Sequence, residues 1–219
     1  MREQILYIFH EVVFFLISAV FITAMMFSVY IDVNWMHNAL HENSLSEVLQ
    51  EVILALITGM FFVTSINRIE IRSGLILIGG FYACMLIREL DFLFDYIKHG
   101  CWVWFALFTS AVCIVLALRS PQSIMRGLAK FISHRTWLMS ATGLLIVLVF
   151  SRLFGMHQLW QNLMLDGYNR VVKNMAEESS ELLGYSFCFL ASARYLWQTR
   201  SQENASLANE KAKASHVFS

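Results

Sequence analysis

Six long apolar runs, separated by short polar stretches, set the pattern of the chain. They cover Val12 to Ile31, Ser46 to Ile66, Ser73 to Tyr96, Cys101 to Leu118, Trp137 to Phe154 and Met175 to Trp197. A run of about 20 mainly apolar residues matches the thickness of a bilayer when helical. Runs of this length are too long for strands, and few Gly or Pro residues interrupt them. The pattern predicts an all-α polytopic membrane helix bundle with six transmembrane helices over residues 1–198. Beyond Thr199 the residues are mainly Ser, Gln, Asn, Ala and Lys with no apolar face, so 199–219 is expected to form a disordered tail.

Composition supports the class: 58% of the residues are hydrophobic, 15% are charged and a single proline occurs. The formal net charge is zero, which gives no basis for binding nucleic acid. The distribution of charge is more informative. Eleven Lys and Arg residues fall on one side of the expected spans: Arg2, Arg68, Arg72, Arg119, Arg126, Lys130, Arg135, Arg194, Arg200, Lys211 and Lys213. Only Lys98, Arg170 and Lys173 fall on the other. The positive-inside rule then places both termini in the cytoplasm and loops 32–45, 97–100 and 155–174 outside. A bacterial inner membrane is the expected location, with the lipid bilayer as the first partner. The first apolar run is longer than a signal-peptide core and lacks a small-x-small cleavage site, so it is expected to remain as a span.

The loop Arg119 to Arg135 contains Ser120-Pro121 and an amphipathic stretch, Ile124 to Ile132, which predicts a short helix on the membrane surface. The four cysteines, Cys84, Cys101, Cys113 and Cys188, show no C-x-x-C spacing and read as apolar fillers. Small residues on span three (Gly74, Gly79, Gly80, Ala83) and, four apart, on span six (Ala176, Ser180, Gly184) suggest that these two spans are neighbours.

Ionisable residues within the spans carry the candidate chemistry. Span three ends in Arg88-Glu89-Leu90-Asp91-Phe92-Leu93-Phe94-Asp95, where an unbroken helix would put Arg88, Asp91, Asp95 and His99 on one face. At about 1.5 Å per residue, Arg88 and Glu89 lie roughly 24 to 25 Å from the basic end of their span. The same measure puts Glu51, Arg152, Glu177 and Glu178 roughly 24 to 25 Å from the basic ends of theirs, and Glu181 roughly 20 Å. Four spans therefore place ionisable groups in one stratum of the outer bilayer. Glu47-x-x-x-Glu51 and Glu177-x-x-x-Glu181 each stack two carboxylates on a helix face.

Eight acids in this stratum (Glu47, Glu51, Glu89, Asp91, Asp95, Glu177, Glu178, Glu181) face only Arg88, Arg152 and nearby Lys98, so complete ion pairing is excluded. The surplus calls for solvent, protons or a bound cation. The expected site is outward-facing and cation-binding. A divalent metal ion, protons or a small cationic ligand would meet Glu51, Glu89, Asp91, Asp95, His99, Glu177, Glu178 and Glu181, with Arg88 and Arg152 forming structural ion pairs. His37-x-x-x-His41 would add two imidazoles if that loop is helical. Such a site could serve transport or metal-dependent enzymology. No serine or cysteine nucleophile can be placed beside a histidine from spacing alone, and the mainly apolar inner halves of the spans favour a pocket over a channel. The alternative is a non-catalytic accessory or scaffold protein whose charged stratum fixes helix packing or docks a partner membrane protein.

Overall fold

The computed structural model describes residues 1–36, 44–96 and 98–217. His37 and His41 lie outside the described residues. All regular structure among those residues is helical. The helices are α1 (Arg2–Ile31), α2 (Leu45–Asn67), α3 (Arg72–Glu89), α4 (Asp91–Asp95), α5 (Trp102–Leu118), α6 (Pro121–Ile132), α7 (Trp137–Leu145), α8 (Ser151–Gly155), α9 (His157–Met164) and α10 (Arg170–Val217). A wide π-turn, Ile146–Phe150, joins α7 to α8 in one continuous span.

Among the described residues, four helical stretches are long and apolar enough to cross a membrane: Arg2–Asn34, Leu45–Asn67, Ile69–Glu89 and Trp137–Gly155. A fifth is obtained if α5 and α6, which meet at a bend of 108°, count as one broken span. The stretch expected to be a sixth span belongs to α10, which is not among them. Glu177, Glu178, Glu181, Arg194 and a series of serines lower its apolar content. From Thr199 the α10 backbone continues as helix to Val217, through Ala, Glu, Leu and Lys residues that favour this conformation.

α10 packs against α1, α2, α7 and α8, while α3 lies between α2 and α5. The core joins Leu54, Ile57 and Phe61 of α2 to Leu75 and Tyr82 of α3 and to Leu182, Tyr185 and Tyr195 of α10. Apolar side chains facing away from this core, such as Phe15 and Val20 of α1, stay exposed, as suits helices surrounded by lipid.

The glycines seat different neighbours from those expected. A Cβ at Gly74 would lie 2.7 Å from Gly127 Cα of α6, and one at Gly80 would lie 2.7 Å from Cys113 Sγ of α5. At Gly79 it would meet the Phe62 ring of α2 at 3.0 Å, and Gly184 of α10 faces Val147 and Gly143. The small residues of α3 thus admit α6, α5 and α2, and Gly184 admits α7. α3 and α10 meet through long side chains.

A second correction concerns the end of span three. The expected helix to Tyr96 stops at Glu89, and α4 starts after a break at Leu90. The common face expected for Arg88, Asp91, Asp95 and His99 is therefore interrupted.

Candidate functional site

The acid-rich end of the bundle begins at the start of α2. Ser44 and Glu47 form a reciprocal capping box: the Ser44 hydroxyl accepts from Glu47 N–H at 3.2 Å, and Glu47 accepts from Ser44 N–H at 3.4 Å. Asp32, at the end of α1, accepts from Leu45 N–H at 2.8 Å, from Ser46 N–H at 2.9 Å and from the Ser46 hydroxyl. Its carboxylate is only 1% exposed and supplies partners for N–H groups that a helix start leaves unpaired. Sequence reasoning misses Asp32, whose partners lie 13 and 14 residues away.

Glu89 closes α3. It pairs with the guanidinium of its neighbour Arg88 and accepts a 2.6 Å hydrogen bond from the Tyr185 hydroxyl of α10. Across the bundle, Arg152 of α8 pairs with Glu181 of α10 and lies 3.5 Å from Glu177. The π-turn before Ser151 adds one residue to the helical turn, which rotates α8 by about 100° relative to an unbroken helix. Ser151 is fully buried, its hydroxyl 2.6 Å from Val147 O and 3.3 Å from Glu181 Oε1. Lys173 completes the group, with Nζ 2.9 Å from Glu177 and 3.2 Å from Gly155 O. Gly155 leaves room for this arrangement, since a Cβ there would sit 2.5 Å from the Glu177 carboxylate.

Gln50 of α2, itself buried, donates to the Glu178 backbone carbonyl of α10 at 3.1 Å. This bond puts the second turn of α2 level with the third turn of α10. The Glu178 carboxylate has no hydrogen bond or ion pair among the described residues. Its electrostatic neighbours are Glu47, Asp32, Glu181 and Glu177, all acids. Glu51 also lacks a cationic partner among the described residues and interacts with Glu89. The structure therefore gathers Glu51, Glu89, Glu177, Glu178 and Glu181 with Arg88 and Arg152.

Two candidates fall apart from this group: Asp95 and His99 form their own pair at 2.7 Å. Asp91 is exposed on α4 and interacts with Arg88. Asp95 also accepts from Gly100 N–H at 3.0 Å. That backbone bond, with the His99 contact, holds its carboxyl below the ordinary value of 3.8. Asp95 works as a turn cap, and the break at Leu90 removes it and His99 from the helical face expected to carry them.

No group of three His, Cys, Asp or Glu residues able to hold a metal ion occurs among the described residues. At the opposite end, Glu11 of α1 pairs with Arg194 of α10 and lies 3.8 Å from Arg135. The interior between the two ends is less apolar than the sequence suggests. Tyr195, Ser192 and Ser140 are fully buried, with hydroxyls that meet no hydrogen-bond partner among the described residues. Compared with known proteins, the chain matches no family model, no curated protein and no solved structure.

Proposed function

We propose that the protein is a six-span membrane protein, with α10 as the sixth span and both termini inside, that binds a small cation at its outward, acid-rich end. Glu178 and Glu51 are the residues we assign to the cation. Arg88, Arg152 and Lys173 neutralise the acids around them and fix the helices. The observation that carries this reading is the surrounding of Glu178: a half-buried carboxylate among four other acids, with no cation beside it among the described residues. Such a group gains from a positive charge. A metal ion would ask for three or more protein ligands. An organic ammonium group or a proton needs only one or two carboxylates, and is the cation this donor set suits. The charge bias favours both termini inside, and a bacterial inner membrane is the location we assign.

A second reading is favoured by the pairing of the other acids. Glu89, Glu177 and Glu181 each have a cationic partner, which suits an accessory or scaffold protein whose charged stratum holds the bundle together. One set of measurements separates the two. Detergent-purified protein is titrated with choline, ethanolamine and putrescine while its melting temperature is followed. Infrared difference spectra are taken between about pH 8 and about pH 5, a window that covers perturbed carboxyls. Cation binding predicts stabilisation by an amine, or a protonated-carboxyl band, that is lost in the Glu51→Gln/Glu178→Gln variant. If wild type and variant behave alike in both, the scaffold reading stands.

A further inference from the structure

A valley at the opposite, arginine-rich end carries an inference independent of the acid-rich site. Because α3 lies between α2 and α5, a groove of about 610 Å³ remains along its N-terminal half. Its walls are apolar, with Ile66 of α2 and Phe108 of α5 left 65% and 70% exposed and Leu116 continuing the α5 wall. Its mouth is polar, formed by Arg72, Arg119 and Ser120. Arg72 is exposed and oriented by a 3.2 Å hydrogen bond from Nε to Ser65 O, a bond that does not use the outer guanidinium nitrogens. Neither Arg72 nor Arg119 has an acidic partner among the described residues.

The mouth is also rigid. It lies at the 108° elbow between α5 and α6, and α6 is fixed against α3 by the Gly74–Gly127 backbone approach. A 3.1 Å bond from Ser73 N–H to the Ser123 hydroxyl adds to the lock. An amphipathic helix such as α6 rests at headgroup depth, which puts both arginines level with lipid phosphates.

We infer that this groove is a binding site for an anionic phospholipid, its phosphate between Arg72 and Arg119 and an acyl chain along the α2 and α5 walls. Two guanidinium groups without acidic partners among the described residues, one of them oriented by Ser65 O, suit a phosphate. The apolar walls have no use for a soluble phosphate, and a neutral phospholipid would leave the paired positive charge unmatched. A similar valley between α2 and α10 is lined by Arg68, only 9% exposed, and by Arg200.

The test is native mass spectrometry of the full chain released from micelles containing dioleoylphosphatidylglycerol or dioleoylphosphatidylcholine. The wild type should retain the anionic lipid preferentially. Arg72→Gln/Arg119→Gln should lose that preference by about tenfold or more, the scale of one or two charge-assisted hydrogen bonds. Arg126→Gln/Lys130→Gln, which lowers the charge of α6 outside the groove, should keep it. Soluble glycerol phosphate should not compete. Equal retention of the two lipids, competition by glycerol phosphate, or an equal loss in the α6 variant would overturn the assignment. Should the groove variant not fold, the wild-type melting temperature decides: phosphatidylglycerol must raise it more than phosphatidylcholine does, and no difference overturns the proposal.

Discussion

Glu181, 6% exposed in α10, has its carboxylate held by the guanidinium of Arg152 from α8, with the Ser151 hydroxyl 3.3 Å away. Removing one member of a buried pair leaves an uncompensated charge, whereas removing both leaves none. Arg152→Gln is therefore expected to destabilise the protein by about 3 kcal/mol, toward the lower end for buried pairs because the arginine is partly exposed. The added change Glu181→Gln should restore part of that loss. Unfolding in a mixed detergent series measures both, and a double variant less stable than Arg152→Gln alone would refute the pairing.

Close helix approach makes a second, purely steric prediction. Gly74→Ala brings a methyl group within 2.7 Å of the Gly127 backbone, which cannot swing aside as a side chain can. Overpacking of this kind costs about 1 to 3 kcal/mol. Gly59→Ala meets nothing within 4 Å and should be neutral or stabilising by up to about 1 kcal/mol, from helix propensity. Melting temperatures of the two variants should move in opposite directions, or only that of Gly74→Ala should fall.

The loop before α7 gives a pH dependence. Burial, then the cations Arg194, Lys130 and Arg135, push the His134 imidazole below its ordinary value of 6.5. Its Nδ1 faces Thr136 N–H at 3.3 Å, an acceptor role that protonation at this nitrogen would end. The unfolded chain binds this proton first. The contribution to stability is complete above about pH 6.5 and is lost as pH falls toward the lower folded value. Thermal unfolding between about pH 8 and about pH 5 should show the decline, and His134→Gln should flatten that part of the curve.

The acidic stratum is legible in part because helical rise alone sets depth. Counting along the helices groups Glu51, Glu89, Glu177 and Glu181, and Gln50, Tyr185 and Arg152 bridge the helices that carry them. The ends of α2, α5 and the α7–α8 span also follow the apolar pattern closely. Other features leave no local mark. No Gly or Pro announces the break at Leu90, and Asp32 reaches its partners only after the chain has reversed direction. The Lys173–Glu177 pair has the spacing of four that a helix brings together, but the apolar pattern starts its helix only at Met175 and leaves Lys173 in a loop. Small-residue stripes show that a close neighbour exists without showing which one. The glycines of α3 accordingly meet α2, α5 and α6.

The most direct test of the acidic stratum is a double-mutant cycle between Glu89 of α3 and Tyr185 of α10, using Glu89→Gln and Tyr185→Phe with unfolding free energies in detergent. The 2.6 Å bond between a hydroxyl and a carboxylate predicts a coupling energy of about 1 kcal/mol or more. Effects that add to within about 0.3 kcal/mol would mean that the two side chains do not meet. In that case the acids of separate helices would not form the common stratum on which the cation site depends.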